Sequence, residues 1–358
     1  MRIEKFTNLY RDVTKEGTKI PQEKYCLTGQ FPIVDQGQRV IAGWWNDDAG
    51  IFKNVPAIIF GDHTRAIKYM EQPFFIGADG VKILRPTNIK DNPKYLYYAL
   101  QAAKIPNLGY SRHFKVVKEL QICIYSRDEQ NEIVRVLEKI DYLIEQRHAE
   151  TTYLDQLVKS RFIELFGDPE RNPKKWPVVS ITEIIRGKVS NGFFAKRDAY
   201  RNDGNVQVLG VANIVNRMYS NIEGLPRTNA TQAEKEKYRV RYGDMLFCRS
   251  SLVAEGIGKA SIVPQDTPQN VIFECHVIRL PLDLQKCVPE FVQELSTTPY
   301  FRKQIIAQSK TATMTTIGQD GILKAAIILP PVERQQEFLR FVEQTDKSKL
   351  CGKMEVAA

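Results

Sequence analysis

Apolar side chains in residues 126–169 recur at alternating steps of four and three, the spacing of a long helix with one apolar stripe. Ser126 and Glu129 have the spacing of a capping box, and Gly167 ends the run. No Gly or Pro interrupts residues 128–166, so the pattern predicts a helix roughly 58 Å long. The stripe consists of Ile133, Leu137, Ile140, Ile144, Leu154, Val158 and Leu165.

A stripe this narrow needs a partner helix, and the sequence supplies one near its C-terminus. Residues 330–338 align with residues 125–133, and the match continues beyond them. The identical pairs are Gln130 and Gln335, Glu132 and Glu337, Arg135 and Arg340, Glu138 and Glu343, and Asp141 and Asp346. The chain is therefore predicted to repeat internally, with a variable half followed by a helix twice over. Because Arg147, Thr151 and Arg161 also fall on the stripe, a long helix crossing a single domain is the alternative.

Both variable halves contain short apolar runs bounded by turn sequences, which predicts strands. In the first half the predicted elements are strands at 31–34, 57–60, 66–69, 81–84 and 120–124, and a helix at 94–103. In the second half the matching segments are 204–210, 243–247, 271–273 with 276–281, 289–295 and 327–329. In this alignment, residues 271–273 and 276–281 together correspond to residues 81–86. Each half is therefore predicted to be a mostly-β α+β domain that leads into a helix.

These patterns divide the chain into four segments. The predicted boundaries are a domain at 1–125, a central helix at 126–169, a second domain at 170–329 and a distal helix at 330–358. The segment after Asp346 is shorter than the matching segment between Asp141 and Phe166. Gly352 also interrupts the apolar repeat of four and three. We therefore expect a distal helix shortened by truncation, rearrangement or a frameshift, with consequences for assembly more than for ligand recognition.

Charge and composition favour one class of partner. The net charge of +9 and the pI of about 9.1 favour an anionic partner, with nucleic acid ahead of a membrane. The sequence has no signal peptide pattern and no apolar run of about 18 residues. None of the six cysteines pairs with another at metal-site or Cys-x-x-Cys spacing. We expect a cytoplasmic protein without a membrane partner.

Catalytic signatures are missing from the sequence. Residues 256–261 look like a phosphate-binding loop, but Ala260 replaces the required Ser or Thr and Val253 the first glycine. There is no Gly-x-Gly-x-x-Gly fingerprint and no Asn-Pro-Pro-Tyr-like box of a base methyltransferase. The histidines are scattered without a neighbouring ligand: His63, His113, His148 and His276. We therefore predict no catalytic, cofactor-binding or metal-binding residue in this chain.

Three groups of motifs resemble those of the DNA specificity subunits of type I restriction-modification systems. The first is Ile-Leu-Pro-Pro-Val-Glu-Arg-Gln at 328–335, where a strand meets a helix. The second combines Phe-Gly-Asp-His-Thr-Arg at 60–65 with Gly-Ala-Asp-Gly at 77–80, and is similar to one class of target-recognition domain. The third, Phe-Gly-Asp-Pro at 166–169 before the Asn-Pro and Trp-Pro pairs of 172–177, is similar to their mid-chain joint. The resemblance covers nearly the whole chain, and its specific feature is the order of the motifs.

The resemblance implies a fold and a non-catalytic function. The fold would be α+β, with two mostly-β target-recognition domains separated by long antiparallel coiled-coil helices in a pseudo-two-fold repeat. Each domain would read one half of a bipartite site in double-stranded DNA. The helices would set the spacing and dock two methyltransferase subunits, and a restriction and translocase subunit would join them. S-adenosylmethionine, ATP and Mg are expected on those partner subunits. The methyltransferase subunits would also flip the target adenine out of the base stack.

Basic and hydroxyl side chains in turn-rich segments are the candidate DNA contacts, because such groups hydrogen-bond to phosphates and base edges. In the first domain the candidates are Thr64, Arg65, Arg112, His113 and Lys115. In the second domain they are Lys196, Arg197, Arg249, Ser250, Ser251, Lys259, Lys310, Thr311 and Thr313. A self-satisfied turn is an equal interpretation of residues 61–65, and a strand or solvated turn is the slightly favoured interpretation of residues 310–316.

Two other classes of function remain open. A tandem protein-interaction module predicts no sequence-specific binding to duplex DNA. A specificity region detached from a fused restriction and methylation enzyme would need methylase or nuclease motifs upstream, and residues 1–358 contain none.

Overall fold

The chain folds into two compact units, Met1–Gln146 (unit 1) and Arg147–Ala358 (unit 2). The computed structural model describes residues 1–77, 79–109, 111–311 and 313–357, with all their side chains except those of Arg197 and residues 350–357. Three residues of the predicted turns and loops therefore lie outside the described residues: Ala78, Tyr110 and Ala312. In the part of the chain described, no helix is both long enough and apolar enough to cross a membrane.

Unit 1 combines short strands with the first part of the long helix. Its strands are β1 (Arg2–Lys5), β2 (Tyr10–Asp12), β3 (Phe31–Val34), β4 (Gly43–Trp45), β5 (Ala57–Gly61), β6 (Ile67–Met70), β7 (Phe75–Ile76), β8 (Val81–Pro86) and β9 (Gln121–Ile124). Its helices are α1 (Phe6–Leu9), α2 (Pro93–Ala102), α3 (Phe114–Val117) and the start of α4 (Arg127–Phe166). The strands pair in the orders β2–β8–β5–β6 and β4–β3–β7, and β1 pairs with β9. The elements predicted in this half are confirmed to within two residues.

Unit 2 contains the rest of α4 and a second set of strands. These are β10 (Val178–Ser180), β11 (Ser190–Asn191), β12 (Val206–Leu209), β13 (Arg227–Thr228), β14 (Asp244–Cys248), β15 (Ser250–Ser251), β16 (Ala260–Ile262), β17 (Val271–Phe273), β18 (Val277–Pro281), β19 (Lys310–Thr311), β20 (Thr315–Thr316) and β21 (Ala326–Ile328). Its further helices are α5 (Gln232–Tyr238), α6 (Pro289–Thr297), α7 (Pro299–Ala307), α8 (Gln319–Leu323) and α9 (Val332–Ala357). The strands pair in the orders β11–β18–β14–β16, β13–β12–β17 and β15–β20–β19, and β10 pairs with β21.

The internal repeat is confirmed strand by strand. The sheet β2–β8–β5–β6 corresponds to β11–β18–β14–β16, and β4–β3–β7 corresponds to β13–β12–β17. The parallel pair β3–β7 is matched by the parallel pair β12–β17. One predicted match was wrong, because residues 271–273 form β17, the counterpart of β7, and only β18 corresponds to β8. Two neighbouring apolar runs look alike in sequence, and the pairing partner decides which strand each one forms.

Unit 2 also carries elements beyond the repeat. Helices α5 and α7 and the β15–β20–β19 sheet have no counterpart among the described residues of unit 1. Helix α7 and strands β19 and β20 lie between α6 and α8. The equivalent part of unit 1, between α2 and α3, is a shorter loop. The repeat therefore provides the scaffold, and the insertion distinguishes unit 2.

Helix α4 starts where the sequence predicts because its first turn is capped locally. The Ser126 N–H and Oγ donate to Glu129 Oε2 at 2.8 and 2.7 Å, which forms the predicted capping box. Near the middle of the helix, the stripe residues Ile140 and Ile144 are 44% and 43% exposed. The apolar stripe is therefore uncovered there, although the helix runs without a break for 40 residues.

Helix α9 is the partner that the stripe predicts: it covers the last turns of α4 and runs antiparallel to it, as the resemblance implies. Arg161 pairs with Glu337 at 2.8 Å, and Lys349 pairs with Asp155 at 2.7 Å, so the contacts move in opposite directions along the two helices. The rings of Phe162 and Phe338 lie 5.6 Å apart, in a cluster that also includes Phe166 and Phe291. These buried rings join both helices to the core of unit 2.

A buried glutamine fixes the start of each long helix in the same way. Gln130 Oε1 accepts the N–H of Asn92, which precedes α2, and its Nε2 donates to the Tyr125 carbonyl. Gln335 Oε1 accepts the N–H of Val288, which precedes α6, and its Nε2 donates to the Pro330 carbonyl. The identical pair found in the sequence repeat is therefore a duplicated structural joint.

Candidate DNA-recognition surfaces

Several loops of unit 1 meet at one end of its sheet, and Asp62 joins two of them. The Asp62 N–H donates to the Gly80 carbonyl at 2.7 Å, and the Asp62 carbonyl accepts the His113 N–H at 2.9 Å. Its Oδ1 accepts the N–H of Phe114 at 2.7 Å, which caps α3. The two candidate segments of the first half, 61–65 and 111–115, are thus brought together.

Gln36 ties a third loop to this end of the sheet. Its Nε2 donates to the Asp79 carbonyl at 3.2 Å, and its Oε1 accepts the backbone N–H of His63 at 3.3 Å. Its carbonyl accepts the hydroxyl of Thr64. Thr64 is exposed, but its hydroxyl is already used within the fold. The loops therefore form one hydrogen-bonded layer.

A buried lysine supports this layer from below. Lys68 is 4% exposed, and its Nζ donates to the Asp35 carbonyl at 2.7 Å and to Asp35 Oδ1 at 3.4 Å. Burial lowers the pKa of the Lys68 ammonium, and the Asp35 carboxylate offsets part of that shift. The strand β6 thus holds the loop that carries Gln36.

His113 is a correction to the predicted DNA contacts. It is fully buried; its Nδ1 lies 2.9 Å from the Asp62 carbonyl, and its Nε2 accepts the Leu108 N–H at 3.1 Å. Both ring nitrogens are therefore engaged in holding the loop. In sequence His113 lies between exposed basic residues, and only the distant Asp62 shows that it belongs to the interior.

The other candidates of unit 1 lie at the surface of the same layer. Arg112 and Lys115 are exposed, whereas the half-buried Arg65 donates from Nη1 to the Ile105 carbonyl at 3.2 Å. Asp79 stands beside them and pairs with Lys19. The Lys19 ammonium, and to a smaller extent the Arg112 guanidinium, hold the pKa of the Asp79 carboxyl below its ordinary value. The surface therefore carries exposed basic side chains beside the carboxylate of Asp79.

Unit 2 builds the corresponding end of its sheet around Arg249. The Arg249 N–H donates to the His276 carbonyl at 2.8 Å, and its own carbonyl accepts the Ile317 N–H at 3.0 Å. Asp62 makes the same two backbone bonds in unit 1, to the residues that precede β8 and α3. Arg249 makes them to the residues that precede β18 and α8. The Arg249 guanidinium donates from Nη1 to the Cys275 carbonyl at 3.2 Å. We call this shared arrangement the backbone node of each unit.

The insertion of unit 2 brings most of the second-half candidates together beside this node. Strand β20 pairs with β15 on one side and β19 on the other. This ribbon collects Ser250, Ser251, Lys310 and Thr311, and Thr313 lies exposed between β19 and β20. Lys310–Thr311 and Thr315–Thr316 are therefore two short paired strands, as the strand interpretation of this segment expects.

The remaining candidates lie apart from the ribbon contacts. Lys259 is half-buried, and its Nζ donates to Asn216 Oδ1 at 2.7 Å. Lys196 is exposed just before a short turn. The Arg197 side chain lies outside the described residues. The structure thus groups Ser250, Ser251, Lys310, Thr311 and Thr313, and does not add Lys196 or Lys259 to them.

Sequence reasoning missed the residues that organise these surfaces. Gln36 is a single polar residue after a strand, and His276 was set aside as a scattered histidine. Asp79 was noted only as part of the Gly-Ala-Asp-Gly motif at 77–80. A signal was present in the repeat, because Gly80 and His276 occupy equivalent places before β8 and β18. Within the described ranges, no cluster of three or more His, Cys, Asp or Glu side chains is arranged to hold a metal ion.

Comparisons with known proteins agree with this duplicated architecture. The family described as type I restriction modification DNA specificity domain matches residues 10–153 and again residues 173–352. The specificity subunit of the type I restriction enzyme EcoKI from Escherichia coli (strain K12) is 29% identical over 119 residues, 32% of this chain. That alignment spans only 25% of the E. coli subunit.

A solved structure shares the fold over nearly the full length. The crystal structure of a type I restriction-modification system S subunit from M. genitalium matches with a TM-score of 0.52 and 13% identity. The match covers 99% of this chain and 92% of that one. Together with the family matches in both halves, these findings show that the chain belongs to the family of type I restriction-modification DNA specificity domains.

Proposed function

We propose that the chain recognises a bipartite site in double-stranded DNA, with unit 1 reading one half and unit 2 the other. The observation that carries this proposal is the repeated backbone node at Asp62 and Arg249. Because the node recurs, polar and basic loops are displayed at the same end of both sheets. Two similar readers in one chain suit two half-sites, and the family is a DNA-recognition component.

Exposed cations at these ends are suited to duplex DNA. Arg112 and Lys115 in unit 1 and Lys310 in unit 2 are exposed there, and Lys196 is exposed in unit 2 outside the ribbon. Cations of this kind bind phosphates, and Arg also reads guanine with two hydrogen bonds. Thr64, Arg65 and Arg249 are already bonded within the fold and contribute through shape. We retain 1–125 and 170–329 as the functional boundaries of the two readers.

The long helix supplies a surface for partner subunits. Ile140, Leu143 and Ile144 of α4 are 44%, 48% and 43% exposed, which is unusual for neighbouring apolar residues. We propose that methyltransferase subunits, two for a two-fold repeat, dock on this helix, and that a restriction and translocase subunit joins them. Methyl transfer and cleavage would belong to those partners, together with S-adenosylmethionine, ATP and Mg. This chain would be non-catalytic.

Selection from a randomised duplex library tests the proposal. The full chain, alone and together with its methyltransferase subunits, is incubated with the library at fixed salt, and bound duplexes are sequenced. We expect two short conserved blocks separated by an unread gap of constant length. A tandem protein-interaction module would give no enrichment in either preparation, and that result would contradict the proposal.

A further inference from the structure

The ribbon of unit 2 presents a row of polar side chains on one face. Ser250 pairs with Thr316, and Thr316 pairs with Lys310. Directly opposed residues of antiparallel strands project from the same face, so these three side chains form one row. Strands lie about 4.8 Å apart, which makes the row roughly 10 Å long.

The opposite face anchors the ribbon to unit 2. Thr315 is 1% exposed, and its Oγ1 lies 3.0 Å from that of Thr311. Ser251 pairs with Thr315 on the same side, and the Ile317 N–H donates to the Arg249 carbonyl at 3.0 Å. The inner face is therefore anchored to the fold through the buried Thr315, although Thr311 at its edge is exposed. Thr316 and Lys310 are exposed on the outer face.

His276 fixes the third member of the row. Its Nδ1 lies 2.8 Å from the Ser250 Oγ, and the same residue supplies the carbonyl of the backbone node. The hydroxyl is thus oriented before any ligand arrives. Preorganised polar groups of this kind lose little conformational freedom on binding.

We propose that the row Lys310, Thr316 and Ser250 reads base edges in the major groove of the second half-site. The inference rests on the proposed DNA recognition and names the element that performs it in unit 2. The major groove is about 12 Å wide and admits a β-ribbon, which matches a row roughly 10 Å long. A lysine pairs with guanine O6 and N7, and a hydroxyl donates to or accepts from a base edge.

Substitution of Thr316 tests this assignment. Thr316→Val removes the hydroxyl and keeps the shape, and Thr316→Ser keeps the hydroxyl. Thr182→Val is the matched control, because Thr182 is an exposed threonine of unit 2 outside the ribbon. Each full-length variant is expressed with its methyltransferase subunits, and the methylated motif is determined by sequencing genomic DNA.

We expect Thr316→Val to relax one base position of the second half-site by about tenfold in discrimination. The first half-site, Thr316→Ser and the control should keep the original motif. The assignment of base reading to the row is contradicted if the second half-site is unchanged in Thr316→Val. It is also contradicted if binding weakens equally at every position, as it would on loss of a phosphate contact. A wild-type chain that yields no bipartite motif overturns the proposed function itself, so the two failures are distinguishable.

Discussion

Replacing Gln130 with leucine should loosen unit 1 and leave unit 2 intact. Gln130 is 1% exposed; its Oε1 accepts the Asn92 N–H at 2.7 Å, and its Nε2 donates to Asp91 Oδ1 and the Tyr125 carbonyl at 3.0 Å each. Leucine fills a similar volume but leaves three polar groups without this partner. Each buried orphan costs about 1–3 kcal/mol, so we expect a loss of about 3–5 kcal/mol.

Hydrogen exchange read by mass spectrometry separates the units, which urea unfolding of a two-unit chain does not. Peptides containing α2 and the start of α4 should exchange faster in Gln130→Leu, and peptides of unit 2 should not change. Gln101→Leu is the control, because Gln101 is exposed and its side-chain amide donates to the hydroxyl of Tyr97, one turn away on the same helix. Gln335→Leu should give the mirror result in unit 2. A loss below about 1 kcal/mol, or equal loosening of both units, would refute the reasoning.

Three further predictions concern pH, packing and charge. Burial raises the pKa of the Glu290 carboxyl above 4.5, so the stability of unit 2 should fall as pH rises above that value. Glu290→Gln should flatten this slope between about pH 4 and pH 7, measured as the hydrogen-exchange protection of unit 2 peptides corrected for the intrinsic exchange rate at each pH. An unchanged slope would contradict the assignment. Phe338→Ala should destabilise unit 2 by about 3–5 kcal/mol, read as faster hydrogen exchange in the peptides of unit 2, whereas Phe194→Ala, at a residue 69% exposed, should not. Arg112→Gln should weaken duplex binding, and the slope of the logarithm of the binding constant against the logarithm of the salt concentration should fall in magnitude by about 0.9. The same slope in Arg112→Gln and in Arg135→Gln, the control at an exposed site, would exclude a phosphate contact.

Local signals made helices α2, α4, α6 and α9 and about half of the strands predictable from the sequence. The α4 start rests on Ser126 and Glu129, three residues apart, and its stripe rests on a repeat of four and three. Strand β3 has the predicted bounds because its apolar run is short and bounded by turns. The paired glutamines Gln130 and Gln335 were visible as a repeat. Their role as buried joints depends on Asn92 and Val288, which are distant in sequence.

The candidate surfaces were less predictable because distant contacts create them. Strand β20 pairs with the nearby β19 and also with Ser250 and Ser251, far earlier in the chain, and the sequence gives no sign of the second pairing. His113 looked like an exposed basic-stretch residue because nothing near it in sequence reveals the Asp62 carbonyl. Thr64 and Arg65 do lie in the predicted turn, but the Thr64 hydroxyl and Arg65 Nη1 already donate to backbone carbonyls of the fold. Residue type thus indicated where polar groups lie, and tertiary pairing decided which remain free to meet a ligand.

Exchange of one reader tests the central claim most directly. Residues 1–125 are replaced with the equivalent domain of a specificity subunit of known target, and methylated genomic DNA is sequenced with the partner subunits present. The account predicts that one half of the bipartite motif changes to that of the donor and the other half stays the same. A motif in which both halves change, or in which neither changes while methylation continues, would contradict it.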